Sequence, residues 1–281
     1  MTDIVVERTG PIEIITLNRP DSFNAFTPDM VDGLGEALRT AATDRRCRAI
    51  VLTGAGDRAF CAGVDVKAVA ARDQADDSGD GVETDPILEQ FENLHLKLSG
   101  IVRTIHGLPV PVIAAVNGHA IGGGFAFAAA CDLRLASPSA RFADGFVKRG
   151  ISGCEMGLSY FLPKIVGAAH AFDWMLTGRR VDADEALRTG LVNQLVPAEE
   201  LVERAVMFGQ QIAENAPMAI AMTKEVMWTN VNAVSLDQAL ALESRTQIMT
   251  RHTADAAEAR ASFLEKRAPD FGGADDPRPL R

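Results

Sequence analysis

The sequence predicts an α/β fold whose last third is helical, and three observations predict it. First, "RAIVLTG" and "VPVIAAVNG" are compact apolar runs that each end at a glycine, Gly54 and Gly118, the pattern of strands buried on both faces. Second, apolar residues recur at helical spacing between those runs. Third, beyond about Gly167 no strand-like run remains, only amphipathic segments separated by Gly, Pro or Asp. With 281 residues and 47% apolar content the chain can bury one large core, with or without an appendage.

The elements follow in order. Ile4 to Glu7 and Ile12 to Leu17 are short β-rich runs joined through Gly10 and Pro11, so the chain opens with a hairpin. Thr27, Pro28 and Asp29 form a helix start, and Met30, Val31, Leu34, Leu38 and Ala41 then mark one buried face. The two glycine-ended strands deliver the chain into potential binding loops. Between them, Ala71 to Asp85 has almost no apolar anchor and is expected to be a mobile surface segment. Pro86 to His106 reads as one long helix with Ile87, Phe91, Leu94, Leu98, Ile101, Val102 and Ile105 on its inner stripe. The late segments, ending in a single long helix from Ser235 to Arg267, are all helical, and the last residues form a loose tail. This gives a core over 1–200, a helical region over 201–267 and a tail over 268–281.

Composition excludes several functions. A formal net charge of −10 opposes a nucleic-acid partner, whose binding depends on clustered Lys and Arg. The N-terminal "MTDIVVERTG" has neither the basic nor the apolar part of a leader, and no run approaches the roughly 18 apolar residues of a membrane span, so a cytoplasmic location is expected. Cys47, Cys61, Cys131 and Cys154 are widely spaced, and the five histidines form no H-x-x-x-H pair, so neither disulfides nor a metal site is expected.

Two motifs fail on context. "GAGDRA" from Gly54 to Ala59 superficially matches a dinucleotide-binding turn, but the helix and acid-bearing second strand that such a turn requires do not follow. "GISG" from Gly150 to Gly153 resembles a nucleophile elbow, yet Cys154 stands in place of the closing glycine. The triplet Gly122 to Gly124 is different: at a helix entrance it offers unpaired main-chain N–H groups, and the missing Cβ atoms allow a ligand oxygen close approach.

"RPDSFNAF", "GDRAFCAGVDV", "PVIAAVNGHAIGGG", "CDLRLAS", "TGRRVDADEALRTGLVNQLVP" and "FLEKR" occur in the order and at approximately the spacing found in the enoyl-CoA hydratase/isomerase (crotonase) family, which the chain resembles from about Ile4 to Arg267. The resemblance implies a spiral of ββα turns with a helical C-terminal trimerisation region, trimers that frequently stack into hexamers, and an acyl- or enoyl-CoA thioester as substrate. It also implies an oxyanion hole formed by the N–H groups of Ala62 and Gly123, flanked by Gly63 and Gly122. Ser22, Asn24, Ala25, Asp65 and Val66 would line the path of the coenzyme A portion, with Phe146 at the acyl end and Phe263 and Lys266 reaching the nucleotide. No separate cofactor is implied, since coenzyme A is part of the substrate. Asp21 stands where many relatives carry a basic residue, which weakens direct pairing with the phosphates there.

The acids depart from that pattern. Ala126 and Phe146 occupy the positions of the two hydratase glutamates, so neither can hold the water that hydration requires. A double-bond shift needs only one base. Glu155, in "GISGCEMG", falls where dienoyl-CoA isomerases of the family carry an acid and is expected to open the following helix. Enclosure by Phe146, Cys154 and Met156 would disfavour its charged form, as a general base requires. Asp144 is a poorer candidate, and Asp132 is expected to tie down local structure. Isomerisation is therefore the leading expectation. Hydration by an unconventional acid and a non-catalytic acyl-CoA-binding subunit are the alternatives. Phe125, Phe127, Phe142 and Phe146 point to an apolar cavity or to core packing.

Overall fold

A computed structural model describes residues 2–65 and 95–271. Val66, the Ala71 to Asp85 segment, the first part of the long helix expected from Pro86, and the tail beyond residue 271 lie outside the described residues.

The chain opens as an antiparallel hairpin, β1 (Ile4–Thr9) on β2 (Ile12–Leu17), in register from Ile4 opposite Leu17 to Thr9 opposite Ile12. Helix α1 (Pro28–Thr43) follows, with the Thr27 hydroxyl accepting from Met30 N and with Met30, Val31, Leu34, Leu38 and Ala41 all buried. Its cap and its stripe are the two features that the sequence predicts.

Three strand pairs then build the body. β3 (Ala49–Gly54) precedes β4 (Ala59–Cys61), β5 (Val112–Val116) precedes β6 (His119–Ile121), and β7 (Leu133–Ala136) precedes β8 (Arg141–Ala143). The first strand of each pair joins a six-stranded sheet in the order β1-β2-β3-β5-β7-β10, where β10 is Gln194–Leu195. The second joins a four-stranded sheet in the order β4-β6-β8-β9, where β9 is Val181–Asp182. Helices α2 (Leu96–Gly107), α3 (Gly123–Ala130) and α4 (Leu158–Ile165) separate or follow these pairs, so successive turns climb the two sheets as a spiral of ββα units. Every residue of β3 and β5 is buried, because helices or the second sheet cover both faces of the larger sheet. One core lies between the sheets and α1 to α4; a second lies under α7 (Leu201–Ala213), where Leu201, Ala205 and Val206 pack on Ile12, Val51 and Ile113.

The strands do not end at Gly167, as β9 and β10 show: each has two residues, too few for any periodic signal. Among the described residues the last third is otherwise helical, with α5 (Ala168–Thr177), α6 (Ala183–Arg188), α8 (Pro217–Asn230), α9 (Leu236–Arg251) and α10 (Ala254–Glu265). The single helix expected from Ser235 to Arg267 is two helices, because the Thr253 hydroxyl accepts from Ala256 N and starts α10 afresh. No helix among the described residues is long and apolar enough to cross a membrane.

The glycines that end β3 and β5 are explained by chain packing. An added Cβ would stand 2.5 Å from the Ala59 carbonyl oxygen at Gly54 and 2.3 Å from that of Arg58 at Gly118. Asn24, 0% exposed, donates to the carbonyls of Ala55 and Ala59 and accepts from Arg19 N, while Asn117 donates to those of Gly54, Gly56 and Ala59. The expected binding loops at Gly54 and Gly118 are thus braced crossings, and the Asn24 side chain is spent on the fold.

Candidate active site

The site is organised by α3. Its eight residues are all buried, and its N-cap, Gly122, has φ 55° and ψ −118°, a conformation open to glycine alone. Gly122 N donates to Ala143 O, whereas the first helical N–H groups, Gly123 and Gly124, have no acceptor within the helix. At the opposite end the buried Arg134 guanidinium donates to the carbonyls of Ala128, Cys131 and Leu191. Burial lowers its pKa, but an arginine remains charged. A helix about 12 Å long thus carries a cation at its negative end, leaving a net positive potential at its glycine end. Sequence reasoning found the glycines and missed Arg134, whose signal was one charge inside the apolar run "LRLA".

The glycine end packs against the chain leaving β4. An added Cβ at Gly124 would stand 2.0 Å from the Cys61 carbonyl oxygen, and one at Gly63, whose φ is 90°, would stand 3.3 Å from Gly123 N. Ala62, Gly63, Gly122 and Gly123 are therefore brought together. The expected pair of free donors needs one correction: Ala62 N already donates to Phe23 O at 3.0 Å. That carbonyl is presented by two consecutive residues in the left-handed region, Phe23 at φ 54° and Asn24 at φ 53°, with the Arg58 guanidinium over the Phe23 ring.

Around this pair, an added Cβ at Gly123 would meet the Phe26 ring at 2.6 Å and Met156 Sδ at 3.0 Å, and one at Gly122 would meet the Phe146 ring at 3.4 Å. Ser22 and Ala25 are half-buried beside the Phe23 turn. Asp65 is paired with Arg19 at 3.0 Å, and Arg19 also donates to Ala25 O, so the Asp65 carboxylate braces the loop. Phe125, Phe127 and Phe142 are 0% exposed and belong to the core, leaving Phe146 alone of the four at the site. Phe263 is 82% exposed on α10, without the helix packing that would account for an aromatic ring, and Lys266 ends that helix in the left-handed conformation.

Three carboxylates differ sharply. Asp132 accepts from Val112 N and Trp228 Nε1 and pairs with the buried Lys224 ammonium at 2.7 Å, a structural tie. Asp144 is 1% exposed, its Oδ2 has no hydrogen-bond partner among the described residues, and burial pushes its pKa up. Glu155 lies one residue before Met156, whose sulfur borders Gly123. It does not open α4, which starts at Leu158 after Met156 and Gly157 both take positive φ. Nor is it enclosed by apolar groups: its side chain is 26% exposed and Oε1 lies 3.3 Å from His95 Nδ1, because Cys154 points outward and Met156 turns in toward Gly123. Ala126 is wholly buried and carries no ionisable group. Among the described residues no cluster of three or more His, Cys, Asp or Glu could hold a metal ion.

A family model described as enoyl-CoA hydratase/isomerase matches residues 7–274. The chain is 39% identical over 270 residues to a protein of Mycobacterium tuberculosis H37Rv named probable enoyl-CoA hydratase EchA12, a match that covers 95% of this chain and 92% of that one. It is 32% identical over 267 residues to the short-chain-enoyl-CoA hydratase of Clostridium acetobutylicum, covering 95% and 96%. A crystal structure of a probable enoyl-CoA hydratase/isomerase from Mycobacterium abscessus superposes with a TM-score of 0.84 at 37% identity, over 96% of this chain and 98% of that one.

Proposed function

The chain belongs to the enoyl-CoA hydratase/isomerase family, and from that premise we propose that it is an enzyme that moves a double bond in an enoyl-CoA thioester through an enolate. The observation that carries this reading is the open start of α3, where Gly123 N–H has no acceptor among the described residues, with Met156 beside it and Glu155 next in the chain. Removing a proton near a thioester drives negative charge onto its oxygen. A fixed N–H donor in a water-poor site lowers that barrier by about 3 kcal/mol. Gly123 supplies one donor directly. Ala62 supplies the second when the thioester oxygen replaces the Phe23 carbonyl that now occupies it.

In this reading Glu155 removes one proton and delivers one at the far end of the shifted double bond. Relatives named hydratases favour hydration as the second reading. Against it, Ala126 and Phe146 offer no acid to hold the attacking water. Ser22, Ala25, Asp65 and the main chain at Asn24 form the approach for the coenzyme A portion. Phe263 and Lys266 meet the nucleotide once copies of the chain assemble into trimers or hexamers. The exposure of Leu236 (72%), Phe263 (82%) and Leu264 (79%) supports such an assembly through α9 and α10.

The test combines Glu155→Gln with two thioesters. A β,γ-unsaturated acyl-CoA is isomerised by the wild-type protein, crotonyl-CoA is not hydrated, and the variant binds both by calorimetry while losing turnover about a thousandfold. Full turnover in the variant removes Glu155 from the mechanism. Tight binding without turnover on either substrate in the wild-type protein makes it a non-catalytic acyl-CoA-binding subunit.

A further inference from the structure

Glu155 does not stand alone in its turn. His95 lies 60 positions earlier in the chain, at the entrance of α2, and its Nδ1 is 3.3 Å from Glu155 Oε1. Both groups reach solvent, with the imidazole 39% and the carboxylate 26% exposed. Among the described residues the titratable group in contact with this ring is Glu155; Cys154 is its neighbour in the turn, and Lys97 on α2 and Asp32 on α1 are the nearest charged residues along the elements that flank it. Lys97 and Asp32 are bonded to each other at 3.0 Å. Among the described residues the ring's hydrogen bond therefore goes to Glu155.

Contact at this distance leaves no space for a water between the two side chains. The pair cannot act as two separated acids that hold a water; it can act as one unit that carries a proton. The more exposed member is the imidazole, through which solvent reaches the pair while Nδ1 faces the carboxylate.

We propose that His95 is a proton relay between Glu155 and solvent, an inference that rests on the reading of Glu155 as the base. The carboxylate takes a proton from the substrate carbon, and the C–H electron pair passes into the enolate. The carboxyl then gives its proton to Nδ1 as the imidazole releases its other proton to water. In reverse, water reprotonates the imidazole, Nδ1 returns a proton to the carboxylate, and the carboxyl delivers it to the far carbon of the shifted double bond. One proton leaves and one returns, with no net change in either side chain. Because His95 acts through Glu155, it is a positioning residue and not a catalytic one.

The consequence is isotopic. In D2O the wild-type protein acting on a β,γ-unsaturated acyl-CoA gives product carrying close to one solvent deuterium. In His95→Gln, deuterium per product falls at least fivefold, because the carboxyl returns the proton it took. Unchanged deuterium content in His95→Gln, with turnover still lost in Glu155→Gln, overturns the relay alone, whereas turnover surviving in Glu155→Gln overturns the reading of the base.

Discussion

Replacing Gly124 by alanine tests the geometry on which the site depends. The added methyl would stand 2.0 Å from the Cys61 carbonyl oxygen and 2.7 Å from its carbon, where an ordinary contact begins near 3.4 Å. The obstruction is main chain on both sides, so no side-chain rotation relieves it, and α3 and the end of β4 must separate by about 1.4 Å. The Cys61 carbonyl and the Ala62 N–H belong to one planar peptide unit, so the displaced atom carries an expected oxyanion donor with it. An error of about 1 Å in a reacting geometry costs roughly a hundredfold in rate, and overpacking of a tight contact costs about 1–3 kcal/mol in stability.

Gly124→Ala should therefore lower turnover of the enoyl thioester about a hundredfold and shift the urea midpoint downward by an amount within that range. Gly100→Ala is the matched control. Gly100 lies inside α2 with nothing within 4 Å of an added Cβ, so that variant should gain about 0.5–1 kcal/mol and keep its rate. Turnover and thioester affinity are read on both variants at a temperature where each is folded by circular dichroism. A folded Gly124→Ala protein with the turnover of the wild type would show that the Cys61–Ala62 peptide does not have to sit against α3, and the proposed oxyanion site would be wrong.

Two further outcomes follow from buried titratable groups. Burial pushes the Asp144 carboxyl above the ordinary aspartate range, so the folded chain holds that proton more tightly than the unfolded chain. The associated stability is complete below the ordinary aspartate range and is lost as pH rises through the raised value. Asp144→Asn should thus gain on the wild type in urea midpoint as pH rises from the ordinary aspartate range near about 4, and a difference that does not change with pH would refute it. Burial also drives the Cys61 and Cys131 thiols up to about 12, and Cys47 is buried as well, leaving Cys154 exposed. A thiol-reactive disulfide should consequently modify one cysteine per native chain and none in Cys154→Ser, with a second fast-reacting thiol as the contrary result.

What the sequence discloses follows from the range over which each signal acts. The hairpin, the Thr27 cap, the stripe of α1 and, from Leu98 to Ile105, that of α2 are set by residues within a few positions of one another, and each appears where periodicity places it. Strands of two residues, such as Val181–Asp182, carry no period and were invisible. At the site the same division holds. Three adjacent glycines announce a close approach, but not that their partner is the Cys61 carbonyl, 63 positions earlier in the chain. Glu155 could be chosen as the acid that remained after Ala126 and Phe146 were set aside. Its environment could not be chosen, because that depends on which way Cys154 and Met156 turn and on the arrival of His95 from α2. Side-chain identity offers no carboxyl at Ala126 or Phe146, while only long-range contact supplies the surroundings of Glu155. Glu155, one residue from the Met156 sulfur that borders Gly123, is a single carboxylate in contact with His95, and a double-bond shift asks of a site only one group that takes a proton and gives one back.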